Sequence, residues 1–130
     1  MARIEVPVSA GELVDKATIL EIKSERIADA SKLANIRREL AGLAAIVGPL
    51  LAAHPALAPL KSSLRAVNET LWQIEDDIRD CERRNDFGPA FVELARSVYR
   101  TNDRRAALKR EIDTLLGSEL VEEKSYHAYD

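Results

Sequence analysis

The chain has 130 residues, of which 46% are hydrophobic and 32% charged, and its formal net charge is -3. This length indicates a single folded domain, and the apolar content excludes an intrinsically disordered chain. Because 19 basic residues are balanced by 22 acidic ones, the charge predicts no nucleic-acid partner and no attraction to an anionic membrane.

The N-terminal segment, MARIEVPVSAGEL, lacks the basic stretch and the long apolar stretch of a signal peptide. No apolar run in the sequence reaches the roughly 18 residues of a membrane span. Together these features predict a cytoplasmic protein with no membrane partner. Cys81 is the only cysteine, which excludes an intrachain disulfide, and its spacing from Ile74 and Ile78 marks it as a small core residue.

The first helix is predicted to begin near Ala10. Ser9 followed by Glu12 is typical of a capping box, in which the two side chains satisfy backbone N–H groups of the first turn. Residues at steps of three and four then form the stripe of a core-facing helix. This stripe consists of Leu13, Ala17, Leu20, Ser24 and Ile27. Upstream, residues 1–9 form an extended arm in which apolar residues alternate as in a short strand.

The second helix is predicted to begin after Ser31, which can cap it, and to end at Gly48 and Pro49, because proline removes a helical N–H. Between Ser31 and Gly48 the apolar residues keep heptad spacing. These residues are Leu33, Ile36, Leu40, Leu43 and Val47.

The third and fourth helices carry the longest regular pattern. The third stripe alternates steps of three and four without an error, and it comprises Leu57, Leu60, Leu64, Val67, Leu71, Ile74, Ile78 and Cys81. A turn at residues 85–88 follows, and Pro89 stands where a first helical position tolerates proline. The fourth stripe, which leads to Gly117, comprises Phe91, Leu94, Ala95, Val98, Leu108, Ile112 and Leu115.

Short connections make consecutive helices antiparallel neighbours. The sequence therefore predicts one all-α domain, a four-helix bundle of two antiparallel hairpins, with an arm at residues 1–9, helices within 10–117 and a tail at 118–130. At roughly 1.5 Å per residue, the second hairpin is about 40 to 45 Å long and the first only about 25 to 30 Å. The second hairpin should therefore project beyond the first at its 85–88 turn.

This projection predicts a homodimer. Ile78, Phe91 and Val92 lie near the turn, where the first hairpin does not cover them. An exposed apolar surface of this kind usually contacts a partner, and a second copy of the chain is the simplest one. A different protein partner is the alternative.

The apolar stripe of the fourth helix is interrupted in the stretch ELARSVYRTNDRR. Asn102 falls opposite Leu71 and Trp72 and within a turn of Asn68, so the long hairpin has one polar layer. A buried asparagine fixes helix register at a cost in stability. The same amide would suit a ligand site, and the sequence leaves both interpretations open.

The arginines around this layer have acidic residues opposite them. Arg96 lies opposite Asp77, and Arg100 lies opposite Asp76. Exposed pairs of this kind stabilise a fold by less than about 1 kcal/mol. We therefore expect most of this charge to form interhelix pairs.

The sequence predicts no metal, no cofactor and no catalytic residue. No histidine follows a glutamate by three as in di-iron bundles, and there is neither a Gly-rich phosphate loop nor a Ser-His-Asp set. Two enzyme alternatives stay open, both acting on an anionic metabolite. Glu12-x-x-Asp15 and Glu119-x-x-Glu122 suggest, in reversed order, the magnesium-binding pairs of helical nucleotide pyrophosphohydrolases. Lys16, Glu75, Arg96 and Arg100 suggest the anion grip of helical chorismate mutases.

Four stretches resemble a small family of bacterial and phage proteins that is catalogued as a domain of unknown function. They are VPVSAGELVDKATILEIKSERI, LWQIEDDIRDCE, ELARSVYRTNDRRAALKREI and EEKSY, at residues 6–27, 71–82, 93–112 and 122–126. The resemblance implies no activity, substrate or cofactor. The stretches are rich in polar residues, however, which favours a binding surface over a purely structural bundle.

The prediction is therefore a helical binding or assembly module that acts as a homodimer, with a small all-α enzyme as the alternative. The candidate binding residues are polar or aromatic and lie in or beside the stretches just described. They are Lys16, Trp72, Glu75, Arg96, Tyr99, Arg100 and Asn102.

Overall fold

A computed structural model describes residues 2–120 and 122–129 of the chain. Met1, Val121 and Asp130, which belong to the predicted arm and tail, lie outside these ranges. Within them the backbone forms four helices: α1 (Ala10–Arg26), α2 (Ala30–Ala53), α3 (Leu57–Arg83) and α4 (Pro89–Leu116). No strand forms in the described ranges, so the all-α prediction is confirmed and the alternating arm does not become a strand.

The first two helices begin at side-chain caps. Ser9 Oγ accepts a hydrogen bond from the Glu12 backbone N–H at 3.1 Å, which is one half of the predicted capping box. The Glu12 carboxylate, predicted to complete the box, pairs with Lys109 at 2.7 Å. In α2 the predicted cap is wrong: Asp29, two residues before Ser31, accepts the hydrogen bond from the Lys32 backbone N–H at 2.9 Å. A carboxylate is well suited to this position because it also interacts favourably with the positive end of the helix dipole.

The predicted end of α2 is also wrong, because the helix passes Pro49 and ends at Ala53. Proline costs one backbone hydrogen bond. Beyond it, however, Leu50 and Leu51 pack against the core, and this burial of apolar surface offsets the lost bond.

The helices form a bundle in which α1 lies against both α3 and α4. α3 and α4 form the long antiparallel hairpin, and α2 packs along α1. Within the described residues α2 contacts α3 only sparsely and does not approach α4. The four-helix bundle with a longer second hairpin is thus confirmed, with α2 at its periphery.

The centre of the core lies where α1 and α3 begin and α2 and α4 end. Val14, Leu57, Leu64 and Ile112 are fully buried there. Partly buried apolar residues surround them: Ala10, Leu50, Leu51, Leu60, Leu108 and Leu116. Each buried aliphatic side chain of this size stabilises the fold by about 1.5 to 3 kcal/mol.

The buried surface of α1 is wider than the predicted stripe. Val14, Thr18 and Ile22 are buried in addition to Ala17 and Leu20. The reason is that α1 is covered by α2 on one side and by α3 and α4 on the other. A residue of α1 therefore meets a neighbour over most of the helix circumference.

The long hairpin extends beyond the first one. Arg26, the last residue of α1, lies over Trp72, with its guanidinium carbon 5.8 Å from the ring centroid. From Trp72, α3 continues to Arg83, a further length of about 16 Å at 1.5 Å per residue. We call the hairpin beyond Trp72, with its turn and the facing first part of α4, the projecting end.

Apolar side chains remain exposed on the projecting end. Phe87 and Val92 are 51% and 52% exposed, respectively, while Ile78 and Phe91 are half-buried. The rings of Phe87 and Phe91 pack edge to face, with centroids 5.3 Å apart. Cys81 is buried, as its place in the stripe predicts.

In the described part of the chain, none of the four helices is both long enough and apolar enough to cross a lipid bilayer.

Candidate functional site

A buried polar network joins α1, α3 and α4. Its centre is Asp15, which is 1% exposed. Arg105 of α4 donates from Nε to Asp15 Oδ1 at 2.9 Å and from Nη2 to Asp15 Oδ2 at 2.5 Å. Asn68 of α3 donates from Nδ2 to Asp15 Oδ1 at 2.9 Å and to Thr18 Oγ1 at 3.0 Å. One carboxylate thereby positions one side chain on each helix of the long hairpin.

Charge in this network is compensated locally. The hydrogen bonds to Asp15 raise the pKa of Arg105, against the opposing effect of burial. Among the described residues, every buried side-chain nitrogen and oxygen has a hydrogen-bond partner. A fully satisfied network of this kind rigidifies the groups that it contains.

The network borders a cleft of about 550 Å³ between α1, α3 and α4, which we call the central cleft. Its apolar lining is Ile19, Ile22, Leu71 and Trp72, and its polar lining is Lys23, Asn68, Glu75, Asp76, Arg79, Asn102 and Arg105. This volume lies within the range of small-molecule sites, which combine apolar walls with a few fixed polar groups.

The chemistry of the central cleft suits binding. Arg79 is paired with Glu75 on its own helix, and Arg105 is paired with Asp15, so the lining has no large excess of one sign. The described lining also holds the carboxylates of Glu75 and Asp76, and Glu75 is the partner of Arg79. The cleft can hold an apolar body against Trp72 and a polar group near Asn102 and Arg105.

Three of the predicted binding residues meet in this cleft. Trp72 and Glu75 line it from α3, and Asn102 lines it from α4. Arg105 Nη1 lies 3.5 Å from Asn102 Oδ1, which links the predicted residue to the buried network. The role of these residues in binding stays a prediction.

The other four predicted residues lie elsewhere. Lys16 pairs with Glu39 of α2 at 2.9 Å, away from the long hairpin. Arg96 and Arg100 both pair with Glu93 of their own helix, at 3.4 and 3.3 Å, so the predicted interhelix pairs are wrong. Glu93 is favoured because it lies three and seven residues away on the same helix face. The fourth residue, Tyr99, lies against the C-terminal tail.

The predicted binding residues did not include Asp15, Asn68 and Arg105. The sequence placed Asn68 in the polar layer with Asn102, and it also carries a signal for Asp15 and Arg105. Arg105 and Lys109 follow Thr101 at steps of four, where the apolar stripe of α4 should continue. Buried basic residues require acidic partners, and α1 offers Glu12 and Asp15, which lie three residues apart and therefore on one helix face.

Lys109 connects the tail to the bundle. This residue is buried, and its Nζ lies 2.7 Å from Glu12 Oε2 and 2.7 Å from Glu122 Oε2. Burial lowers the pKa of Lys109, but the hydrogen bonds to the two glutamates outweigh it and raise that pKa overall. The hydrogen bond from Lys109 lowers the pKa of Glu122. The start of the tail is therefore held against α1 and α4.

Residues 4–129 match a family of unknown function, DUF6165. No curated protein and no solved structure matches the chain. The resemblance to a domain of unknown function is thereby confirmed, while a bacterial or phage source stays a prediction.

Proposed function

We propose that this chain, which belongs to the family of unknown function DUF6165, is a binding module that holds a small ligand in the central cleft. The observation that carries this proposal is the position of Arg105. Its side chain is 28% exposed beside the cleft, while the carboxylate that orients it is almost completely buried. The ligand that fits has an apolar body and a carboxylate or another hydrogen-bond acceptor.

The energetic argument begins with the cost of the network. A buried ion pair loses solvation, and apolar residues of the same size often stabilise a fold equally well. Here the pair also fixes a guanidinium at the edge of an apolar cleft, and groups fixed in advance bind a ligand with less loss of entropy. A role in binding explains why a charged pair stands where a purely structural bundle would use leucine.

The location of the cleft gives independent support. Its lining comes from residues 6–27, 71–82 and 93–112, with Asn68 as the exception. These are three of the stretches through which the sequence resembles a domain family. Polar residues that lie far apart in the chain thus share one concave surface.

The arrangement does not favour the enzyme alternative. In its chorismate-mutase-like form, that alternative needs Lys16, Arg96 and Arg100 to grip an anionic metabolite together. Lys16 pairs with α2, whereas the two arginines share Glu93 on the surface of α4. The three cations therefore do not converge on the central cleft.

Replacing Asn102 with leucine tests the binding site. A thermal-shift screen of aliphatic and aromatic carboxylates, followed by titration, identifies a bound compound. We expect Asn102→Leu to weaken its binding by about 10-fold or more, the value of one lost polar contact, and to leave the free energy of unfolding within about 0.5 kcal/mol. Asn102 is suited to this test because its one side-chain hydrogen bond among the described residues is the long one from Arg105.

Arg96→Ala is the matched control, since Arg96 lies on the same helix but outside the cleft. This variant should bind the compound as tightly as the wild type does. Trp72→Ala provides a second variant and should weaken binding through the apolar wall. Wild-type affinity in both cleft variants would contradict the proposal.

The assembly role that we propose is a homodimer formed through the projecting end. Phe87 and Val92 are exposed there, and Ile78 and Phe91 of the same projecting end are half-buried. An interface of ordinary size would bury about 800 Å² of each copy. The acidic and basic residues around the patch would set the orientation of the two copies more than their affinity.

Replacing Val92 with glutamate should convert the dimer to a monomer, because the substitution places a charge in the apolar interface. Sedimentation at micromolar concentration measures the change. Phe91→Asp should act in the same direction, but it also disturbs the contact with Phe87. Ile46→Glu is the control, since Ile46 is equally exposed on α2 and should leave the dimer intact. A monomeric wild type, or a dimeric Val92→Glu variant, would refute the proposed assembly.

A further inference from the structure

The three tyrosines of the chain meet at one place outside the central cleft. Tyr99 projects from α4, and Tyr126 and Tyr129 come from the tail. The rings of Tyr99 and Tyr129 are tilted by 59°, with centroids 5.0 Å apart. They border a cavity of about 440 Å³ that is also lined by Asp103, Lys124 and His127.

Polar contacts hold the tail in this position. Glu122 and Glu123 contact Lys109 and Arg110, and further along the tail Tyr129 Oη donates to Asp103 Oδ2 at 2.7 Å. The tail therefore runs antiparallel to α4, and the cavity lies between them. Because these contacts are spread along the tail, the positions of the aromatic rings are set by more than one anchor.

The chemistry of this cavity suits a cation. Aromatic faces attract positive charge through the ring quadrupole, and tyrosine is one of the effective rings. The ammonium of Lys124 already lies 5.9 Å from the centroid of Tyr126. Asp103 adds a full negative charge, and Tyr126 is 84% exposed, so its ring is accessible to a ligand.

The type of cation follows from what the cavity offers. A primary ammonium is strongly hydrated and requires several acceptors. The lining supplies one carboxylate, which already accepts the hydrogen bond from Tyr129, together with three tyrosine rings and the imidazole of His127. A methylated ammonium needs no acceptor and presents its positive charge through an apolar surface, which is the form that aromatic cages recognise.

We propose that Tyr99, Tyr126, Tyr129 and Asp103 form a binding site for a trimethylammonium group, which we call the tyrosine cage. The group belongs either to a small quaternary amine or to a trimethylated lysine side chain, since both present the same cation. Lys124 stands at the edge of the cage, where its charge competes with that of the ligand. The cage shares no lining residue with the central cleft, although Asn102 of the cleft also lines a small cavity beside Tyr99, Asp103 and Tyr126.

Titration with choline chloride, followed by NMR of the tyrosine ring protons, tests the cage. We expect saturable binding with a dissociation constant of about 1 mM, as several partly exposed cation–π contacts would give. Ammonium chloride at equal ionic strength should bind at least about 5-fold more weakly, because its cation keeps its hydration. Tyr126→Ala should lose most of the choline affinity, and the exposure of Tyr126 makes unfolding of this variant unexpected; circular dichroism checks it.

Variants that change the charge of the cage determine whether the bound ligand is a cation or an anion. Lys124→Gln should tighten choline binding and Asp103→Asn should weaken it, each by about 3-fold or more, as expected for one nearby charge in a partly screened site. Asp80→Asn, which makes the same change on α3 far from the cage, should have no effect. Opposite effects of Lys124→Gln and Asp103→Asn would indicate an anion site and overturn the proposal.

Two further titrations identify the molecule that carries the trimethylammonium group. A short peptide with a trimethylated lysine is compared with choline and with the same peptide unmodified. Preference for choline points to a small quaternary amine, and preference for the methylated peptide over the unmodified one points to a protein side chain. Either preference supports the cage. Absence of saturable binding of both probes, or equal binding of the two peptides with no choline binding, overturns it.

Discussion

Replacing Asp15 with alanine should lower the free energy of unfolding by about 3 to 5 kcal/mol, the range found when one partner of a buried ion pair is removed. The variant leaves the Arg105 guanidinium partly buried without its carboxylate, and Asn68 loses one of its two acceptors. Urea denaturation monitored by circular dichroism measures the loss.

Lys16→Ala is the matched control for this prediction. Lys16 is adjacent in the sequence, but its pair with Glu39 is solvent-exposed, so its removal should cost less than about 1 kcal/mol. A double variant, Asp15→Leu with Arg105→Leu, should recover much of the lost stability because no charge is left unpaired. A loss below about 1 kcal/mol for Asp15→Ala would mean that the network does not anchor the three helices.

Replacing Gly11 with alanine should cost at least about 2 kcal/mol through overpacking. α1 and α4 approach so closely at this point that a Cβ on Gly11 would lie 2.4 Å from the backbone oxygen of Lys109. The backbone N–H of Gly11 also donates to Asp113 Oδ1 at 2.6 Å. Relief of the clash would require the helices to separate, and this would weaken that hydrogen bond.

Gly42→Ala serves as the contrasting substitution. Gly42 lies in the interior of α2, and a Cβ there would meet no atom within 4 Å. Because alanine is the better helix former, this variant should gain about 0.5 to 1 kcal/mol. Thermal or urea unfolding of the two variants measures both changes. If α1 and α4 approach at Gly11 as closely as described, the free energy of unfolding should fall for Gly11→Ala and rise for Gly42→Ala. Equal effects would contradict it.

Structural features that depend on residues close together in the sequence were predictable from it. The regular stripe of α3 identified Leu57, Leu64 and Cys81 as core residues, and the capping box at Ser9 set the start of α1. Both signals act within a few residues of the chain. The end of α2 was not predictable in this way, because packing of Leu51 against distant residues overrides the local effect of Pro49.

The candidate site was predictable only in part. Turn symmetry pairs residues within a hairpin, so it placed Asn102 near Trp72 correctly. It says nothing about which face of the long hairpin receives α1. That choice brings Asp15 to Arg105 and creates the central cleft, so the network that organises the site depends on a contact between hairpins.

The separation of Asp15 and Arg105 in the chain also affects how the protein is synthesised. The two residues are 90 positions apart, a distance that a ribosome translating at about 5 to 20 residues per second covers in roughly 5 to 18 seconds. During this interval the first hairpin has emerged, but α4, which supplies the partner of Asp15 and part of the cover for α1, has not been made. The domain therefore completes its fold only after α4 has been made, and until then the first hairpin lacks the partners that α4 supplies.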